Sequence, residues 1–431
     1  MEEREDNRLE LFNANFGLYE FKNSKSPLIS LPGNINVCYL VTTYPRNNKD
    51  LEVPWLRKIV NMLSDKINIM IFAPSYNGIK SHSIDKVFVY RYRYFIKNFE
   101  FLTHDEGAPN KIKKNPLLKL LTIPFLISGI LQFFILNIKK KFNIIHIHWP
   151  FPMGIIGIPI GKLFKKKIIL NFHGASLLMA KEYPFVNKIL RILIKHSDII
   201  IANSTFTARK IKEIYNKKVY IIPFGSTIKI SLKTTLKEEK RKSNKFKILF
   251  VGRLIERKGV KYLVLATKIL IEKYKFTNIE VNIVGDGFEK ENILQLIKEK
   301  NLENFIFLRG KVSSKSLSRY YTDADIFVLP AIIDSRGDTE GLGVVLIEAL
   351  LNKKFVIASN IGGIPDIIKN NKTGFLVKEK NPEEIAKKIM FIVKNFNKIR
   401  HIPENGYKYV QKHFNWENIF NRLLSIYKNL I

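Results

Sequence analysis

The sequence predicts two consecutive α/β units, each a doubly wound sheet of mostly parallel strands, and two observations carry that prediction. Short apolar runs rich in β-branched residues alternate along the chain with longer stretches of helical periodicity, the pattern of βα repeats whose strands are buried on both faces. At 431 residues the chain also exceeds what one hydrophobic core ordinarily serves, so two cores of about 200 residues each are expected.

Residues 1–33 show neither strand alternation nor strong helical periodicity and are read as an extension. Strands are expected at 37–42, 67–72, 87–91, 144–148, 167–172, 199–203 and 219–223, which defines a first domain over 34–228. The stretch 231–245 is polar and lysine-rich, so an exposed linker is expected over 229–245. A second alternating series follows, with strands at 246–251, 280–284, 306–309, 326–330, 355–359 and 374–377, and a domain over 246–413.

From Leu120 to Ile138 no charged residue occurs, and the run is long enough for a transmembrane helix. Pro124, Gln132 and Asn137 interrupt it, however, and it falls between two strands expected in one sheet. Crossing a bilayer would put strands 37–42 and 144–148 on opposite sides. A helix that is apolar nearly all round can instead bury one face on the sheet and offer the other to lipid. Lys111, Lys113 and Lys114 precede the run and Lys139 to Lys141 follow it, so cations flank the apolar surface.

Seventy-two Lys and Arg against 38 Asp and Glu leave a formal net charge of +34. Such a balance suits an anionic lipid surface or a polyphosphate, although lysine-rich coding bias accounts for part of it. No zinc-finger spacing, RNP-type aromatic pattern or basic heptad array accompanies the charge, so nucleic acid is not expected as a partner. Cys38 is the one cysteine, which excludes an internal disulfide and a cysteine metal cluster and fits a reducing cytoplasm. The charged start, Met1 to Glu10, lacks an apolar signal core, and a cytoplasmic protein is expected.

The strongest chemical signal is Glu340-Gly-Leu-Gly-Val-Val-Leu-Ile-Glu348. Gly341 and Gly343 let the backbone approach a ligand, and the apolar series after them reads as a buried helix starting near Gly343. The free amides of that N-terminus form an anion site fit for a diphosphate. Glu340 is suited to accept hydrogen bonds from sugar hydroxyls, and Glu348, two turns on, to reach ribose hydroxyls. A second signal, Gly252-Arg253-Leu-Ile-Glu-Arg-Lys258-Gly, follows the first strand of the second domain. Ligands of open α/β sheets bind beyond the carboxyl ends of strands, so Arg253 and Lys258 are placed to neutralise a departing nucleoside diphosphate. His146 and His148 alternate on one strand, but no third ligand of suitable type lies nearby, and a zinc site is not expected.

These motifs resemble those of glycosyltransferase family 4, retaining enzymes of the GT-B fold. Glu340 to Glu348 looks like that family's E-x7-E motif, and Gly252-Arg-Leu to Lys258-Gly resembles its diphosphate site. Val284-Gly-Asp-Gly287, Ala324-Asp-Ile-Phe-Val-Leu-Pro330, Ile361-Gly-Gly-Ile-Pro-Asp366, Asn203-Ser204 and Phe172-His173-Gly174 agree, in family order. The final helix, 414–431, is similar to the one that returns to the N-terminal domain.

The resemblance implies two Rossmann-like domains facing across a cleft, with donor on the C-terminal side and acceptor on the N-terminal side. It also implies neither metal nor cofactor. By position, Arg253 and Lys258 would hold the diphosphate, and Gly341, Leu342, Gly343 and Gly285 the donor. Glu340 would take the sugar and Glu348 the ribose, with His173 near the reacting centre. His148 and Thr43 stand at the acceptor side. Three departures are visible: residues 42–46 lack the family's glycines, Asp366 stands where Glu is usual, and Thr227 stands near the place of the customary Asp. The expected activity is sugar transfer from a nucleotide-sugar to a glycan or lipid-linked acceptor, in cell-envelope synthesis, with peripheral contact to an anionic membrane. An epimerase or phosphorylase of the same fold, or a non-enzymatic binder of anionic surfaces, stand as alternatives.

Overall fold

The computed structural model describes residues 18–19, 35–50, 52–105, 107–227 and 245–431. It divides into two compact units, 1–223 with 419–431, and 224–418. The chain thus leaves the first unit at 223 rather than 228 and rejoins it at 419 rather than 414. Burial explains both differences, because Phe224 and Phe414 pack into the hydrophobic core of the second unit. The expected linker falls almost wholly outside the described residues.

Among the described residues the first unit carries nine strands, β1 (Leu18–Tyr19), β2 (Asn36–Leu40), β3 (Asn68–Pro74), β4 (His82–Ile84), β5 (Val87–Tyr92), β6 (Ile144–His148), β7 (Lys167–Phe172), β8 (Ile199–Ala202) and β9 (Val219–Ile221). Their order in the sheet is β1-β9-β8-β7-β6-β2-β3-β5-β4. All pairs are parallel except β4 with β5. Two strands were not anticipated. Leu18–Tyr19 lies in the segment read as an extension and pairs with Val219 and Tyr220 at the sheet edge. His82–Ile84 is a short hairpin arm. Two or three residues are too few to show a period, so neither could be seen in the sequence.

The second unit carries β10 (Phe246–Val251), β11 (Ile279–Val284), β12 (Ile306–Gly310), β13 (Ile326–Leu329), β14 (Phe355–Ser359) and β15 (Phe375–Val377). They form an all-parallel sheet in the order β12-β11-β10-β13-β14-β15. The central strands β13 and β14 are buried on both faces, as crossover helices on both sides require. In each unit the strand order reverses beside the unit's leading central strand, between β2 and β6 in the first and between β10 and β13 in the second. The loops leaving those strands at their carboxyl ends part company there and open a crevice, which is where doubly wound folds bind ligands.

Candidate active site

In the second unit the switch point is built by residues 252–259 after β10 and residues 330–343 after β13. The first loop ends in a 3-10 turn, Glu256–Lys258, and Gly259 then caps helix Val260–Glu272 in a left-handed conformation, φ 64°. A Cβ at Gly259 would sit 1.9 Å from the Pro330 carbonyl oxygen, so only glycine lets the two loops touch. Ile332 donates its amide to the Arg257 carbonyl (2.8 Å), which fixes their register.

That contact brings Lys258 and Glu340 together. Lys258 Nζ donates to Glu340 Oε2, and both side chains are buried. Arg257 joins them, its Nη1 3.9 Å from Glu340 Oε1 and donating to the Thr339 carbonyl (3.0 Å), while its Nε lies 3.4 Å from Asp338. Burial works to raise the Glu340 pKa, but the charges of Lys258, Arg257 and Arg253 together outweigh it, and the carboxyl is held below its ordinary value. Burial lowers the Lys258 pKa, and the neighbouring Glu340 only partly restores it. Arg253 is exposed. The two residues expected to grip diphosphate and sugar separately thus form one ion pair, with Arg253 standing beside it as an exposed cation.

Helix Val344–Leu351 begins at Gly343, φ 92°, as the sequence led us to expect. Among the described residues, no acceptor takes the amides of Gly341, Leu342 and Gly343. Gly363 donates to the Glu340 carbonyl (2.9 Å) and packs so closely that a Cβ would fall 2.1 Å from the Gly341 oxygen. Gly285, φ 139°, faces the Gly252 carbonyl oxygen, which a Cβ would meet at 1.9 Å. The glycine motifs therefore clamp the site loops together. Glu348 is buried and accepts a hydrogen bond from Tyr321 Oη (2.8 Å). Burial pushes its pKa up to about 7.

At the switch point of the first unit the chemistry is aromatic. His148 is 2% exposed, its ring stacked on Tyr39 (5.3 Å) and on His173 (5.0 Å), and its Nδ1 lies 2.9 Å from His173 Nε2. Burial drives the His148 pKa well below the ordinary value and brings that of His173 to about 3. With both rings neutral, one donates to the other. His148, expected at the acceptor side, is thus a buried support for His173. The half-buried groups around His173 are Trp55 and Trp149, with ring centroids at 4.7 and 5.1 Å. Both are placed by unusual backbone. Trp149 has φ 53°, and Val53, which caps the helix bearing Trp55, has φ 40°. Such values are rare for side chains of this size and gather at functional sites.

Thr43 is also buried, with an Oγ1 that has no hydrogen-bond partner among the described residues. The turn after it is held by Arg91, which donates to the Tyr44 and Pro45 carbonyls. His146 Nδ1 lies 2.7 Å from Tyr427 Oη, whose other neighbour is Tyr39 Oη. Among the described residues no group of three or more His, Cys, Asp or Glu side chains gathers in a way that could hold a metal ion.

Arg257, Tyr321, Trp55 and Tyr427 stand at these sites without a signal of their own in the sequence. Arg257 stands next to Lys258 in a basic run that gave no reason to prefer it. The aromatic residues announce themselves only through folding, although Trp149 directly after a strand end was a usable signal.

Known proteins agree with this architecture. Residues 59–226 match the model described as Glycosyltransferase Family 4, and residues 233–409 the one described as Glycosyl transferases group 1. An uncharacterized glycosyltransferase of Methanocaldococcus jannaschii is 25% identical over 78% of this chain and 91% of its own length. The putative colanic acid biosynthesis glycosyltransferase WcaL of Salmonella typhimurium is 24% identical over 65% of this chain and 69% of its own. Among solved structures, the sucrose-phosphate synthase of Thermosynechococcus elongatus superposes with a TM-score of 0.73 at 19% identity, covering 92% of this chain and 99% of that one. Anabaena HepE in complex with UDP-glucose gives 0.64 at 15% identity, over 91% and 99%. With both halves of the sequence matched in order and both sheets wound on the GT-B plan, the chain belongs to glycosyltransferase family 4 and is a glycosyltransferase.

Proposed function

We propose that this glycosyltransferase moves a sugar, with retention, from a UDP- or GDP-sugar to a glycan or lipid-linked acceptor, using neither metal nor cofactor. Its setting is the cytoplasmic side of the cell envelope, in polysaccharide or glycoconjugate synthesis. The observation that carries this reading is the gathering of Arg253, Arg257 and the Lys258–Glu340 pair beside the amides of residues 341–343. Cations and a helix N-terminus are what a leaving diphosphate needs, and a carboxylate among them is what sugar hydroxyls need.

In this reading the bond from the anomeric carbon to the β-phosphate oxygen breaks while one to the acceptor oxygen forms on the same face of the sugar. The acceptor's proton passes to the departing phosphate oxygen. Arg253 and Lys258 take the growing negative charge, Glu340 holds the sugar, and Glu348 holds the ribose. Neutral His173, backed by His148, offers a hydrogen bond near the reacting centre. The relatives' place in colanic acid synthesis and the UDP-glucose bound by HepE favour a similar donor and pathway class.

The test is a panel of UDP- and GDP-sugars, read first by thermal shift and then by transfer or donor hydrolysis. One donor or a few should raise Tm, and Arg253→Ala and Glu340→Gln should lose turnover with the fold intact. Near-normal turnover in either variant would overturn the assignment. Isomerisation of a donor incubated alone would make the chain an epimerase.

A further inference from the structure

Within Pro116–Lys139 an 18-residue stretch has a mean hydropathy of 2.0, yet only 33% of that stretch is buried. It ends in helix Thr122–Lys139, and the helix's two faces are unlike. The inner face is locked into the first unit. Phe133 meets Phe72 (ring centroids 5.0 Å), and Phe125 meets Tyr92 and Tyr94 (5.5 and 5.3 Å). At Gly129 the fit is so close that a Cβ would lie 2.6 Å from Ile156 Cδ1. Gln132 Nε2 donates to the Arg93 carbonyl (2.7 Å), just past the end of β5.

The outer face is a continuous stripe, Ile123, Ile127, Leu131, Ile135 and Ile138, with exposures from 47% to 63%. These positions recur every three or four residues, so they share one side of the helix. Phe95, Ile96 and Phe99 are exposed as well, in the loop that leaves β5. Soluble surfaces rarely carry so long an apolar strip without something to cover it.

Charge identifies what covers it. From residue 108 to 141 no acidic residue occurs, whereas Lys113, Lys114, Lys119, Lys139, Lys140 and Lys141 are all exposed. A second copy of the chain would set these lysines against their own kind. An anionic bilayer meets both demands, with acyl chains for the stripe and headgroup phosphates for the lysines.

We propose that this stripe is where the enzyme docks on an anionic membrane, the helix lying in the plane of the interface and not crossing it. Spanning would strip Phe125, Gly129 and Phe133 from the core and break the Gln132 hydrogen bond. The lysines at both ends keep the helix parallel to the headgroups. Because Ser128 and Gln132 are tied to the Arg93 carbonyl just past β5, docking of the helix holds the whole first unit at the bilayer surface. This rests on the proposed transfer to a lipid-linked acceptor and supplies its physical location.

The full chain is tested by co-sedimentation with vesicles of phosphatidylcholine, with and without phosphatidylglycerol. Wild type should pellet with the anionic vesicles only and be released by salt. The triple variant Ile123→Ser, Ile127→Ser, Leu131→Ser should lose partitioning by at least about tenfold while keeping its Tm. Lys139→Gln, Lys140→Gln, Lys141→Gln should weaken binding and flatten its salt dependence. If wild type ignores anionic vesicles, if the triple variant binds them as well, or if that variant turns a stable dimer into a monomer in sedimentation, the inference fails. Failure with donor turnover intact leaves the reading of the active site standing. Lost turnover with vesicle binding intact does the reverse.

Discussion

The two switch points occupy equivalent places in two sheets of the same winding, and they are chemically opposite. That of the second unit is made of ions and glycines, with Lys258, Arg257, Glu340 and Asp338 held by loops that touch backbone to backbone. That of the first is made of uncharged rings, with His146, His148, His173, Tyr39, Trp55 and Trp149 stacked around one another. One topology therefore supplies only a crevice. What the crevice can bind is decided by the few side chains at its rim, and here one rim suits a polyanion while the other suits a neutral, ring-shaped ligand.

If the charged rim is a balanced set, removing one member costs more than its contact. Lys258→Met leaves Glu340 buried without its partner and should destabilise the protein by about 3–5 kcal/mol in denaturant unfolding. Adding Glu340→Gln to it should recover much of that loss, which would show the pair to be coupled. Arg253 is exposed and outside the pair, so Arg253→Ala should leave stability alone and lower kcat by about 10²–10³, or about 2.7–4 kcal/mol. A large loss of stability in that variant would blur the distinction between a structural and a functional cation.

The two regions should also respond to pH with opposite sign. His146 is buried, and burial lowers its pKa from 6.5 to about 3, so its contribution is present above about 6.5 and lost as pH falls toward 3. Tryptophan fluorescence should report this acid sensitivity in the first unit, where Trp55 and Trp149 lie, and His146→Gln should reduce it. Glu348 behaves inversely. Burial raises its pKa from 4.5 to about 7, so its contribution is present below about 4.5 and lost as pH rises through 7. Glu348→Gln should abolish that part of the pH dependence in thermal unfolding. The smallest effect belongs to Tyr321→Phe, which removes one hydrogen bond to Glu348 and should cost about 0.5–1.5 kcal/mol.

Long buried strands and the charged rim were legible in the sequence because both are local. A run such as 246–251 declares its burial by composition, and Glu340, Gly341 and Gly343 declare a helix start by spacing. The neutral rim was legible only in part. His148 and His173 could be seen beside strand ends, but their mutual stacking, and the burial that holds them neutral, are products of sheet order. The contact of Tyr427 with Tyr39 joins residues 388 positions apart, and no local pattern encodes it. Arg257 was hidden for another reason, since in so basic a chain one more cation beside Lys258 carries no information until the fold shows which one faces Glu340.

Residues 419–431 belong to the first unit although they are made after the whole of the second. During synthesis, then, the first sheet must wait, with Tyr39 and His146 lacking the tyrosine that joins them, while the second sheet is completed. The second unit closes its own ends meanwhile, Trp416 Nε1 donating to the Ser226 carbonyl (2.6 Å). The second unit is thus complete in sequence before the first has this closing segment, and a released chain ending at residue 418 should still fold its second unit.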